Sequence, residues 1–404
     1  MQDILRIAVR EERHSHSVTR IATFNSLAGQ RRVFFEITGD ILPPPLQVHD
    51  FAVLSALIVA MREGRPVHVE GPVTGQLIRG LEEFQEAWAL WRSKYTPVRL
   101  TADQIVPVET PTTRRGMFAF SGGVDGTFAL LRHHKARAGL RTARPIGAML
   151  VHGFDIPLSE QQAFDRARAN VADTIGALGL PLSVVRTNWR SEACKVWPQE
   201  YLAGLTACLH QFGGLANVGV LGAGEDYAHF EPPVGSNNPI TNHLLSGGGF
   251  EIHTEGGGFT RTQRVALIND YPEIAAKLRV CWEGPPTGGN CGRCEKCIRT
   301  KLNFMAINAA PACFDDGAPT HAQILRLSAR KSQQLALLRE VLTSARKNGA
   351  RGAWTASLAL AIVKNRAMAP VWSLQSKVAD KLRREPARQA TAGNARRALQ
   401  VEEK

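Results

Sequence analysis

The chain has 404 residues, 44% of them hydrophobic, with 49 lysines and arginines against 36 aspartates and glutamates, for a formal net charge of +13. That length allows two or three domains with substantial cores, and no apolar run reaches the roughly eighteen residues that a membrane-spanning helix needs. The positive balance suits a polyanionic partner such as nucleic acid, and equally an arginine-rich compositional bias.

The start, Met1-Gln2-Asp3-Ile4-Leu5-Arg6, carries no charged-then-apolar export pattern, so the expected compartment is the cytoplasm. Residues 1–112 read as a small α+β domain. Leu5 to Arg10 and Arg32 to Ile37 are predicted strands around the polar stretch Glu11 to Ser17, and Pro43-Pro44-Pro45 stops that unit. A helix over Phe51 to Met61, a strand over Val67 to Glu70, an amphipathic helix over Ile78 to Trp91 and a strand over Pro97 to Leu100 complete it. Glu11, Glu12, His14 and His16 offer metal-ligand chemistry without a spacing that closes a coordination sphere, and are expected in a solvated loop.

The stretch Phe118 to Leu131 is an apolar run broken by a small polar turn and resumed at helical spacing, hence strand, tight loop, helix. Gly122 and Gly123 beside Ser121 let the backbone turn its N–H groups inward, and the following helix adds its positive dipole end. Such a concavity suits an anion, with Ser121 and Thr127 as hydroxyl donors. Asp125 is out of place among phosphates unless it holds a metal or orders the loop. G-x-x-x-x-G-K-[ST] is absent, so this is not a Walker loop.

Strands over Pro145 to His152, Pro181 to Thr187 and Asn217 to Leu221 alternate with helices over Gln161 to Leu178 and Tyr201 to Phe212. That alternation predicts an α/β fold with a doubly wound parallel sheet whose ligand lies at the strands' carboxyl ends. Residues 113–310 form the expected central domain. Glu231 to Gly258 reads as a long loop serving as a substrate lid, with Pro232-Pro233 and the glycine runs as its breakers and Asn237, Asn238, Asn242 and His243 as polar candidates.

Cys281, Cys291, Cys294 and Cys297 form a C-x9-C-x2-C-x2-C pattern with Gly292 at the bend. In a reducing compartment, four clustered thiols suit a closed tetrahedral zinc site that staples a small loop; an iron–sulfur cluster takes the same ligands. Cys194, Cys208 and Cys313 stand apart as buried apolar cysteines. Residues 311–404 are predicted helical: His321 to Lys347, Trp354 to Arg366, and a third helix from Pro370 carrying Val371, Trp372 and Leu374. A basic tail follows, with Lys381, Arg383, Arg384, Arg388, Arg396 and Arg397, read as a surface helix or a polyanion-contacting arm.

The run Ser121, Gly122, Gly123, Asp125 and Thr127 resembles the S-G-G-x-D-S signature of the PP-loop ATP pyrophosphatases, with Gly126 standing where that signature has its second serine. Together with the four cysteines and Arg299, it resembles the 7-cyano-7-deazaguanine synthase family of the queuosine pathway over residues 115 to 305. The resemblance implies a Rossmann-like PP-loop domain with a zinc knuckle on Cys281, Cys291, Cys294 and Cys297. It implies ATP, Mg²⁺ and Zn²⁺ as cofactors, with ATP cleaved to AMP and pyrophosphate to adenylate a carboxylate that ammonia or another amine then captures. It further implies nucleotide contacts from Phe120, Ser121, Gly122, Gly123, Val124, Asp125, Gly126, Thr127, Val151, His152, Gly153, Phe154, Gly222, Ala223 and Gly224, with Ser121, Asp125 and Thr127 catalytic. Lys296 and Arg299 are further charge donors or salt-bridged surface residues.

The acceptor implied is a small 7-deazaguanine-like acid; a nucleic acid or protein acceptor, in modification or phage defence, stays open, a homodimer is expected, and no membrane is expected. Two other readings stand beside this one: a tRNA thiolase, which needs Cys194 or Cys208 near the nucleotide, and a non-catalytic ATP-binding scaffold.

Overall fold

In this computed structural model, residues 3–108, 111–231, 235–281, 287–330 and 332–372 are described. The chain divides into two compact units, Met1–Pro319 and Thr320–Lys404.

The first unit begins with β1 (Leu5–His14), β2 (Ser17–Ser26) and β3 (Gly29–Gly39), a meander closed between His14 and Ser17. Glu11 to His14 are thus strand rather than solvated loop. Glu11 accepts from the buried Arg20 at 2.7 Å, and among the described residues this group holds no metal-ligating cluster. β2 was not predicted, because the inward position Arg20 interrupts its apolar alternation. That guanidinium is satisfied by Glu11 and by the carbonyls of Gln211 and Pro44 at 2.7 and 2.6 Å. α1 (Asp50–Glu63), β4 (Val67–Thr74), α2 (Gly75–Trp91) and β5 (Leu100–Val106) follow, the last beginning where the predicted strand ended.

Then come β6 (Arg115–Ala119), α3 (Val124–His134), β7 (Arg144–His152), α4 (Gln161–Ala177), β8 (Leu182–Thr187), α5 (Trp189–Glu192), α6 (Trp197–His210) and β9 (Val218–Gly222). α6 opens with Pro198, whose missing N–H costs nothing in a first turn. β10 (Glu251–Glu255) lies inside the stretch predicted as loop. Its sequence Glu-Ile-His-Thr-Glu hides a strand because its charged side chains are paired with residues distant in sequence, Glu251 with Arg114 and Glu255 with Arg132. Pro232 and Pro233 lie outside the described residues. α7 (Arg261–Asn269), α8 (Pro272–Ala275) and α9 (Glu295–Met305) end the unit.

All strands share one sheet in the order β10-β9-β6-β7-β8-β3-β2-β1-β4-β5. The expected boundary at residue 112 is no break: β3 pairs antiparallel with β8, Phe35 opposite Thr187 and Ile37 opposite Val185. Trp189 Nε1 donates to Ser55 O at 3.1 Å and Arg62 pairs with Glu200 at 2.8 Å, so α1 and α6 sit under a common core.

The five strands β8-β7-β6-β9-β10 are parallel and run outward in both directions from β6, the arrangement of an open doubly wound sheet. Along β6 and β7 alternate residues enter different cores: Met117 and Met149 join the α6 side, Phe118, Ala148 and Leu150 the α4 side. Both faces are therefore covered, as a parallel sheet requires. The order reverses between β6 and β9, which opens a crevice at their carboxyl ends.

In the second unit, α10 (His321–Arg326) and α11 (Ser332–Lys347) replace the single long helix expected over His321 to Lys347. The break is held by the helix over 353–372. Asn365 accepts from Ala329 N at 2.7 Å and donates to Leu327 O at 3.0 Å, and Lys364 donates to the same carbonyl at 2.9 Å. That helix runs through Pro370 instead of restarting there. Leu374 and the basic tail from Lys381 lie outside the described residues. Among those described, no helix is long and apolar enough to cross a membrane.

Candidate functional site

β6 ends at Ala119, and Phe120 N donates to Met149 O at 2.8 Å, so the chain leaves the sheet at the crevice. Gly122 takes φ +78°, a left-handed turn that a side chain would strain, and Gly123 caps α3 with extended backbone and no side-chain hydrogen bond. The first-turn amides of α3 are left without a side-chain cap, facing a cavity of about 490 Å³. A cavity of this size is ordinary for a small-molecule site.

Phe120, Ser121, Gly123, Val124, Asp125 and Gly126 line it, with Val151 near the end of β7, Phe154 just after it, Gly222 at the end of β9 and Gly224 just after it. The remaining expected contacts are placed elsewhere. Thr127 is buried within α3, and its hydroxyl has no partner among the described residues. The His152 ring stacks on Phe164 at 4.0 Å and faces Pro157 O. A Cβ at Gly153 would lie 1.9 Å from Thr187 O, so glycine there serves strand packing. At Gly222 a Cβ would lie 2.3 Å from the Asp125 carbonyl carbon. Glycine there lets the protein's own backbone at Asp125 approach closely. A Cβ at Gly126 would lie 3.2 Å from Ala119 O, tight enough to account for glycine in the serine position.

The electrostatics come from residues that sequence reasoning overlooked. Asp125 accepts from Arg261 Nη1 at 3.0 and 3.1 Å and from Arg264 Nη1 at 2.8 Å. Burial works to raise that carboxyl, and Arg261, Arg264 and Lys296 outweigh it, holding it at about 2. Arg264 also donates to the carbonyls of Phe259, Ala223 and Gly256 and is fully engaged. Arg261 is not: its Nε and Nη2 have no partner among the described residues, although its side chain is 7% exposed. Arg279 likewise has a buried, unpartnered Nε, while its backbone N–H donates to Gly122 O at 2.8 Å and pins the loop.

Lys296 also lines the cavity and has no ion pair among the described residues, so it is not the salt-bridged surface residue expected. Burial, then the charge of Arg261, pushes its ammonium down. Arg299 does pair, with Glu295 at 2.7 Å, and lies outside the lining. A sequence signal for the arginines existed in Thr260-Arg261-Thr262-Gln263-Arg264. Thr260 and Gln263 form a capping box that starts α7 and sets two arginines three residues apart on one face.

The far side of the cavity is aromatic and polar. Trp197, Tyr201 and Leu205 project from one face of α6, with Phe154 at 5.2 Å from Trp197 between ring centroids. Asp155, Glu225 and Asn237 supply polar groups, and Asn237 is held by Gly222 O at 2.9 Å and Asn242 at 2.7 Å. Of the other candidates, Asn238 is consumed in a local turn and His243 is exposed. Cys194 and Cys208 lie outside the lining, and burial raises both thiols, Cys194 to about 12.

The four cysteines converge as their spacing predicted. All four sulfurs lie within 4.8 Å of one another, with Cys281–Cys294 and Cys291–Cys297 at 3.9 Å. Zinc–sulfur bonds of about 2.3 Å in a tetrahedron put sulfurs about 3.8 Å apart, so this donor set is compatible with Zn²⁺. Asn290 ties the cluster to the loop: its Oδ1 accepts from Val280 and Cys281, and its Nδ2 donates to Leu278 and Cys313 carbonyls. The segment so fixed carries Arg279.

These features define an α/β protein with a large, mostly parallel sheet, an uncapped helix N-terminus at its switch point and a four-cysteine cluster beside it. Compared with family models, curated proteins and solved structures, the chain matches none.

Proposed function

We propose that this protein is an ATP-dependent adenylating enzyme of the PP-loop type, similar to the 7-cyano-7-deazaguanine synthases, which forms AMP and pyrophosphate. The observation that carries the reading is the convergence on one cavity of the bare α3 N-terminus, the left-handed Gly122 turn and the unpartnered N–H donors of Arg261 and Arg279. Donors fixed in advance around a place where negative charge develops stabilise that charge without reorganisation.

In this reading the ATP β- and γ-phosphates lie on the Ser121 to Gly126 loop. A carboxylate oxygen of the acceptor attacks the α-phosphorus, the bond from that phosphorus to the β-bridging oxygen breaks, and pyrophosphate leaves into the loop. An amine then attacks the acyl carbon, loses a proton, and AMP departs. Holding both reactants in one enclosed cavity is the main source of rate. Trp197, Tyr201 and Phe154 would hold a planar acceptor. Asp155, which has no ion pair among the described residues, is the carboxylate best placed for Mg²⁺. Cys281, Cys291, Cys294 and Cys297 would hold Zn²⁺, which supplies structural cross-linking with no open coordination position.

The test is chromatographic separation of nucleotides after incubation with ATP, Mg²⁺, ammonia and 7-carboxy-7-deazaguanine, beside other carboxylic acids. AMP appearing only with an acceptor supports the reading. ADP and phosphate in its place would show that the wrong bond had been assigned.

A further inference from the structure

Asp125 occupies the position where an acid beside phosphates invites a metal ion, yet its contacts say otherwise. Both carboxylate oxygens are taken: Arg261 Nη1 reaches one at 3.1 Å and the other at 3.0 Å, and Arg264 Nη1 reaches the first at 2.8 Å. Of these two arginines, Arg264 has its other donors on backbone carbonyls. Arg261 has an Nε and an Nη2 that meet no partner among the described residues, on a side chain more than nine-tenths buried that lines the cavity beside the uncapped α3 N-terminus. A buried guanidinium that lacks partners for two of its nitrogens is costly unless a ligand completes it. The ligand that suits planar, charged donors is a phosphate oxygen.

We propose that Asp125 is a positioning residue: it anchors Arg261 by Nη1 in the wall of the cavity, so that a diphosphate seated there is held by that guanidinium and by main-chain amides without a metal ion held by Asp125. Arg279, pinned through its backbone to Gly122 O at 2.8 Å, lines the same cavity. This rests on the proposed reading of the cavity as a diphosphate seat and adds the division of labour within it.

The sign of one substitution separates the alternatives. If Asp125 acted only through its charge, removing that charge beside an anion would tighten binding. If it positions Arg261, removal weakens binding. The experiment is calorimetric titration of inorganic pyrophosphate into the full-length protein in magnesium-free buffer, without chelator so that the four-cysteine site keeps its metal. The wild type should bind; Arg261→Gln should lose about thirtyfold and Asp125→Asn about tenfold, the scale of one or two charge-assisted hydrogen bonds.

The double variant should lose no more than Arg261→Gln alone, because Asp125 acts through that arginine. Asp125→Asn binding as tightly as wild type or tighter, or losses that simply add, overturns the proposal. Should Asp125→Asn unfold near room temperature, Arg261→Lys carries the test: it keeps the charge but loses the fork, and undiminished pyrophosphate binding by it overturns the proposal equally. Wild type that binds pyrophosphate but makes no AMP with any acceptor supports this seat while sinking the adenylation reading. AMP formation without affinity for free pyrophosphate does the reverse.

Discussion

Among the described residues, two clusters bring metal-ligand side chains within 4.8 Å of one another: the four cysteines, and His133, His253 and Glu255. By residue type and distance both could hold a metal, and their hydrogen bonds separate them. The cysteine sulfurs meet mainly each other. In the second cluster Ala143 N donates to His133 Nδ1 at 2.9 Å, so a neutral ring carries its proton on Nε2, the atom 3.3 Å from Glu255. The lone pair a metal would need is therefore protonated. Glu255 is further engaged by Arg132 at 3.2 Å and Arg141 at 3.3 Å. Burial works to raise Glu255, and these partners outweigh it and hold it below the usual range. Donors committed to cations inside the protein make an ion-pair network; four sulfurs turned toward one another make a donor set compatible with a metal.

The largest expected effect bears on the cysteine cluster. Cys297→Ser should reduce bound zinc, measured by mass spectrometry of the purified protein, from about one per chain to background, and lower the melting temperature by about 10 °C or more. Through Asn290 it should also weaken pyrophosphate binding. Zinc retained in full would break the comparison.

Next comes the committed cluster. Glu255→Gln should leave zinc content unchanged and cost on the order of 3 kcal/mol in denaturant unfolding, because it strips a buried carboxylate from cations that then lack compensation. A loss of metal would make the two clusters alike.

A pH profile sharpens the contrast at lower amplitude. Burial works to lower His253, but Glu251 and Glu255 outweigh it, so its pKa in the folded protein stands above the usual value. A raised pKa stabilises fully below about 6.5 and the benefit is lost as pH rises through the folded value. Melting temperature should therefore fall on the alkaline side of pH 6.5, and His253→Gln should flatten that slope. Glu251, held at about 2 chiefly by the His253 hydrogen bond, contributes stability above about pH 4.5 that disappears toward pH 2.

The smallest effect concerns Thr127, a hydroxyl that is free but enclosed. Thr127→Val, which removes a buried polar atom without a partner, should change stability by no more than about 1 kcal/mol and leave pyrophosphate release intact. A tenfold loss of release would return Thr127 to the proposed site.

Legibility followed the range of the interaction. Ser121 to Gly126 and the cysteine triplet at 291, 294 and 297 could be read directly because both are consecutive or nearly so, and local backbone geometry suffices to gather them. The parallel strands from β6 to β9 were legible as apolar runs between helices. β2 and β10 were not, since Arg20, Glu251 and Glu255 are charges whose burial or pairing depends on partners far along the chain. The same holds for Arg261 and Arg279, and Lys296 could be named as a charge donor but not placed: arginines and lysines are common, and only packing decides which of them lose water.

The amino-acid order alone determined the loop, the helix that follows it and the four-thiol cluster, because turn chemistry and short spacings act over a few residues. Tertiary structure decided that residues on both sides of position 112 share one sheet, through the antiparallel register of β3 on β8. It also decided that Asp125 meets two arginines from α7. Both depend on which distant segments exclude water together, and that is settled by packing over the whole unit.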